Sequence, residues 1–181
     1  MHYHIISIIL SITCFIIILL VGTLTQILRE GYRPDAALAP FSFSRVQLWL
    51  WTLIIIPIFA LNWGFVNPTK PEINPTSLIL LSISGALTLT SAVISQIHLN
   101  ANQLTKIKND TKGFFYDILV DDQGQLSIAR LQNFVFTIVF ATIYVTIFFS
   151  NGHKYADFDD YVYALMGISS GTYLFGKALR K

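Results

Sequence analysis

The chain is short of cysteine, of charge and of acid, and each shortage excludes a class of protein. One cysteine, Cys14, stands in 181 residues, which rules out a disulfide framework or a cysteine-built metal cluster. It lies inside an apolar run and reads as a small core or lipid-facing side chain. Charged residues make up 12% of the chain, where soluble domains carry about 25%. No Asp or Glu lies within any long apolar run, so a proton relay or carboxylate ion site inside a membrane has no candidate. His2, His4, His98 and His153 show no metal-ligand spacing. A P-loop, a Rossmann fingerprint and a Ser-His-Asp grouping are all lacking. "LVDDQGQLSIAR", Leu119 to Arg130, has the outline of a calcium loop around Gly124. Its first and twelfth positions are Leu and Arg where acids are required, so it reads more simply as a turn into Ser127. No metal, cofactor or catalytic residue is expected.

What is abundant is apolar sequence, 54% of the chain, in blocks of the roughly 20 residues that cross a bilayer. The blocks are Ile5–Leu28, Val46–Phe65, Thr76–Ile97, Ala129–Phe149 and Tyr161–Leu179. The last is the weakest, diluted by Gly167, Ser169, Ser170, Gly171 and Gly176. They leave no room for a soluble domain of ordinary size. The expectation is an all-α, polytopic membrane protein with five transmembrane helices.

The first block does not read as a cleaved signal. "MHYH" has no Lys or Arg, the run is too long, and Arg29 and Arg33 follow it. With five spans, one side of the membrane holds Arg29, Arg33, Arg45, Lys106, Lys108, Lys112, Arg130, Lys177, Arg180 and Lys181, and the other holds Lys70 and Lys154. That asymmetry places the N-terminus outside and the C-terminus in the cytoplasm of a plasma (bacterial inner) membrane. The net charge of +2 gives no reason to expect nucleic acid; the basic face suits anionic lipid headgroups.

Two stretches repeat. "SFSRVQLWLWT", Ser42 to Thr52, returns 85 positions later as "SIARLQNFVFT", Ser127 to Thr137, and "LLSISGALTL", Leu80 to Leu89, returns at the same offset as "LMGISSGTYL", Leu165 to Leu174. Asn74 before Pro75, and Asp159 before Asp160, supply cap residues at matching places. The chain therefore divides into a leading helix and connection (1–41), hairpin repeat 1 (42–97), a cytoplasmic elbow (98–126) and hairpin repeat 2 (127–181). An even number of spans separates the copies, so both run the same way through the membrane.

"SRVQLWLWT" with "LLSISGALTL", and "DILVDDQGQLSIARLQNFVFT" with "YALMGISSGTYL", resemble uncharacterised prokaryotic multi-pass membrane proteins. Those carry a "SxxRxQ…WT" helix followed by a "LxGISxGT" helix, usually in tandem. The resemblance covers about residues 40–181 and implies a fold; it brings no activity.

Candidate functional residues follow from the repeats. Arg45 and Arg130 sit where the helix dipole disfavours a cation. They read as membrane anchors, or as clamps on a lipid headgroup or on Asp117, Asp121 or Asp122. Gln47 and Gln132, slightly deeper, suit interhelical hydrogen bonds. Gly167 with Gly171, and Ser82 with Ala86, are small-residue steps for helix packing, expected at the pseudo-twofold contact between the copies. Ser77, Ser84, Thr88, Ser91, Ser95 and His98 fall on one arc of the third helix. Such a hydroxyl stripe lines a hydrated path in a pore, or is spent on packing and back-bonding. Pro57 should kink its helix, with Thr52 or a neighbour taking up the freed carbonyl. Around Phe114, Phe115 and Tyr116 the elbow should rest its aromatics on the membrane interface.

The function expected from these features is a non-catalytic scaffold or sensor subunit that oligomerises, or joins a membrane complex, through its small-residue faces. The alternative is a pore-forming effector in defence or stress, using the hydroxyl stripe.

Overall fold

A computed structural model describes residues 2–30, 39–100, 111–121 and 124–179, apart from the side chains of 98–100. Among these residues the chain is helical, with six helices. They are α1 (His2–Leu24), α2 (Phe43–Phe65), α3 (Pro75–Asn100), α4 (Phe114–Leu119), α5 (Ile128–Ser150) and α6 (Asp160–Ala178). Four of them, α1, α2, α3 and α5, are long and apolar enough to cross a membrane.

The helix starts obey local chemistry. Pro75 opens α3, and the side chain of Asn74 accepts from Ser77 N at 3.1 Å. Ser127 accepts from Arg130 N at 3.4 Å to cap α5, and Asp159 accepts from Tyr161 N at 3.1 Å to cap α6. Ser42 differs: it stands at the cap position of α2 without a side-chain cap bond, its hydroxyl 3.4 Å from that of Ser44. Pro57 lies inside α2, but Thr52 donates to Leu48 O at 2.8 Å rather than to the carbonyl four residues before the proline.

Direction follows from which residues meet. Tyr3 packs edge-on to Trp63 near one end of α1, and Trp49 Nε1 donates to Ile18 O at 2.9 Å near the other. Helices α1 and α2 are therefore antiparallel. They approach closely because the contact is built from small residues: a Cβ on Gly22 would stand 2.3 Å from Trp49 Nε1, and one on Gly64 would stand 2.1 Å from Ser7 Oγ. Gln47 bonds Asn133 and Thr137, Trp51 packs on Tyr144, and Asn62 Nδ2 reaches His153 O. Rising numbers meet rising numbers, so α2 and α5 run the same way. The same holds for α3 and α6, where Thr76 meets Tyr163 and Ser91 meets Tyr173. Helices α2, α3, α6 and α5 form a bundle of two antiparallel hairpins, with α1 laid on the outside of α2.

A small feature precedes each parallel helix. Residues Arg29 and Phe41 form an isolated antiparallel bridge, and Ser42 N donates to Leu28 O at 2.8 Å; Val120 and Leu126 form another, and Ser127 N donates to Leu119 O at 2.9 Å. Each bridge turns the chain into the helix that follows. Between Val120 and Leu126 the turn is closed by Gly124 N donating to Asp121 O at 3.1 Å, with Gly124 at φ 84°.

The interior holds two apolar clusters. One joins Trp51, Ile55, Leu80, Tyr144, Phe148 and Met166; the other joins Leu28, Phe43, Leu87, Ile118 and Tyr173 at the end where α2 and α5 begin. Outward faces stay apolar, including Ile5, Ile9, Ile12 and Ile17 on α1 and Leu131, Val135 and Ile138 on α5. Lipid tails accept such a surface without penalty.

Candidate functional site

Polar side chains inside an apolar bundle are costly unless paired, so their positions mark the candidate sites. They gather in three places.

At the end where α3 and α6 begin, a latch ties the two hairpins. Asn74 Nδ2 donates to Ala156 O at 2.7 Å and Asn62 Nδ2 to His153 O at 2.8 Å. Ser77 and Tyr144 share a hydrogen bond of 2.5 Å, as do Thr76 and Tyr163. Tyr155 OH donates to Glu72 O at 2.9 Å, and burial raises its pKa above the ordinary phenol range. Exposed Lys70 pairs with Glu72, and that hydrogen bond raises the lysine pKa.

Midway toward the other end lies a small amide and hydroxyl network. Gln47 is 3% exposed; its Nε2 donates to Asn133 Oδ1 at 3.2 Å and to Thr137 Oγ1 at 3.0 Å. Asn133 Nδ2 donates in turn to Ser170 Oγ at 3.2 Å. Gln132, expected to share this role, is exposed and outside the network. The buried stripe of α5 runs Arg130, Asn133, Thr137, Ala141, Tyr144, Phe148, and position 132 lies about 100° around the helix from Asn133.

The third place is a charged pocket at the end where α2 and α5 begin. Arg130 is fully buried; it donates to Val120 O at 2.6 Å and lies over the Tyr173 ring at 5.1 Å. Arg45 is half-buried and makes the corresponding reach, donating to Ile27 O at 3.3 Å. Each arginine thus bonds a carbonyl of the segment leading into its helix. The described contacts of Asp117 include Phe41 N at 3.1 Å, Lys112 N at 3.1 Å and Thr111; Asp122 lies outside the described residues.

Beside Arg45 the polar pocket, about 130 Å³, is lined by Glu30, Ser44, Arg45, Ser91, Ser95 and Lys177 among others. Lys177 is 1% exposed; its Nζ donates to Ser91 Oγ at 2.8 Å and Ser91 O at 3.3 Å. Glu30 Oε1 is buried without a hydrogen-bond partner. The pocket adjoins an apolar groove of about 540 Å³ between α1, α2 and α3, and Arg45, Thr88 and Ala92 line both.

The hydroxyl stripe is spent within the chain. Ser77 joins the latch, Ser84 donates to Leu80 O at 2.9 Å, and Thr88 donates to Ser44 O and Ser84 O. Ser91 receives Lys177, and Ser95 donates to Ser91 O at 2.9 Å. The side chain of His98 lies outside the described residues. The small-residue steps face away from the bundle: Gly167, Gly171, Ser82 and Ala86 are exposed, and a Cβ at either glycine would meet nothing within 4 Å. The α3–α6 contact runs instead through buried residues such as Leu87, Ser91, Tyr173 and Lys177.

Lys177 and Glu30 are site residues that the repeat pattern does not mark. The available signal was charge placement, since both flank or enter apolar blocks in a chain with few charges. Among the described residues no group of His, Cys, Asp and Glu is arranged to hold a metal ion. Comparison of the chain with protein families, with characterised proteins and with solved structures finds no match.

Proposed function

We propose that the protein is a non-catalytic membrane scaffold or sensor subunit that assembles with further copies through the outward small-residue steps of α6 and α3. The observation that carries this reading is the exposure of Gly167 and Gly171, with open space above both. In lipid, where apolar surface alone gives no association, small residues that permit close backbone approach are what helix–helix contacts use. The hydroxyls a pore would need are bonded inside one chain, which favours the scaffold over the channel.

On this reading α6 is a fifth span. Its 19 residues measure about 28 Å, close to the roughly 30 Å of hydrocarbon, and it runs parallel to α3. The two hairpins are a duplication facing the same way, with α2 and α5 starting at the cytoplasmic side of a plasma membrane and the N-terminus outside. Arg29, Arg45 and Lys112, exposed or half-buried, then meet anionic headgroups at the cytoplasmic end.

The test is assembly. Gly167→Leu with Gly171→Leu should convert an oligomer in mild detergent to monomer, read by native mass spectrometry, while the monomer melts as before. A wild-type chain that is monomeric in bilayers, or an oligomer indifferent to both leucines, contradicts the proposal.

A further inference from the structure

We propose that the charged pocket and the apolar groove opening from it are one binding site for a phospholipid with a phosphoethanolamine headgroup. Lys177 and Arg45 hold the phosphate, Glu30 takes the primary ammonium, and an acyl chain lies along the groove between α1, α2 and α3. The site is separate from the small-residue faces of α6 and does not depend on the assembly proposed above.

The order of polarity is that of a lipid in its leaflet. The 130 Å³ polar pocket lies where α2 begins, and the 540 Å³ groove continues from it past Trp49 to Thr52. Arg45 and Thr52 are seven positions apart on one helix, about 10 Å of depth. Together the two cavities are of the size that small ligands fill, roughly 300–1,000 Å³.

The charges select the headgroup. Lys177 Nζ, almost wholly buried, has the hydroxyl and carbonyl of Ser91 as acceptors. Both are neutral, and the pocket lining sets two cations, Lys177 and Arg45, against the one carboxylate of Glu30, so a further negative charge is called for. A phosphate fits between the two cations. Glu30 Oε1 is the discriminating atom: it lines the same pocket, buried and unbonded. A glycerol headgroup brings no positive charge to it, and a choline headgroup brings a charge without an N–H. Phosphoethanolamine brings three charged donors, the inventory of a lysine ammonium.

The full chain, purified in detergent, is incubated with phosphatidylethanolamine, phosphatidylglycerol or phosphatidylcholine of identical acyl chains, and retained lipid is read by native mass spectrometry. Phosphatidylethanolamine should be retained about tenfold better than either alternative, the scale of one charge-assisted hydrogen bond. Glu30→Gln should erase that preference, and Lys177→Met should lower retention of all three. If Lys177→Met fails to fold, the wild-type and Glu30→Gln comparison decides alone. Equal retention of ethanolamine and choline lipids, a preference for phosphatidylglycerol, or a preference that survives Glu30→Gln overturns the assignment.

Discussion

Two arginines in the same register have opposite surroundings. Arg45 is half-buried at the wall of a pocket; Arg130 is sealed beneath Tyr173 and bonded to Val120 O. A guanidinium can stack on a ring and donate in plane at once, which an ammonium cannot do. Arg130→Lys should therefore destabilise the fold by about 1–2 kcal/mol, whereas Arg45→Lys should change stability little. Reversible unfolding of both variants in mixed micelles checks the contrast, and equal losses would contradict it. The same lesson covers the glutamines. Gln47 lies inside the network and Gln132 outside it, because burial depends on how each helix is rotated against its neighbours. Nothing in the local sequence reports that rotation.

At the scale of elements, α1 is held by close approach rather than by hydrogen-bond count. Gly64 admits Ser7 where any side chain would collide, so Gly64→Leu should lever α1 off α2. A disulfide engineered across that contact would then form in the parent and fail in the variant; its formation in both contradicts the close-approach account. The loop latch makes a separate prediction. Tyr155 is half-buried, bonded to Glu72 O, and has a pKa raised by that partial burial. A phenol neutral in the folded state and ionised in the unfolded one contributes stability that is whole below its ordinary pKa of about 10 and is lost as pH climbs from there toward the raised folded value. Melting temperature should thus fall above about pH 10, and Tyr155→Phe should flatten that fall. An unchanged pH profile in the variant would remove Tyr155 from the latch.

For the molecule as a whole, much of the helical framework was legible and the sites were partly so. Apolar length located α2, α3 and α5 almost to their ends, and Asn74 and Asp159 marked starts that the structure caps as expected. The first apolar block runs to Leu28, but α1 stops at Leu24. Thr25 there donates to Val21 O, and Arg29 N bonds Gln26 O, turning the chain into the bridge with Phe41. Apolar composition carries no sign of that turn. Arg45, Thr88, Ser91 and Ser95 each carry a signal in the sequence. Their convergence with Glu30 and Lys177 around one cavity depends on α2, α3 and α6 packing together, which composition and spacing do not encode.

The central claim is a membrane-embedded chain whose two hairpins face the same way. In a Cys14→Ala background, single cysteines at Lys70, Lys154 and Lys112 are treated in intact cells with a membrane-impermeant maleimide. The account predicts labelling at 70 and 154 and protection at 112 until the cells are opened. Labelling of 70 and 154 from opposite sides would contradict it.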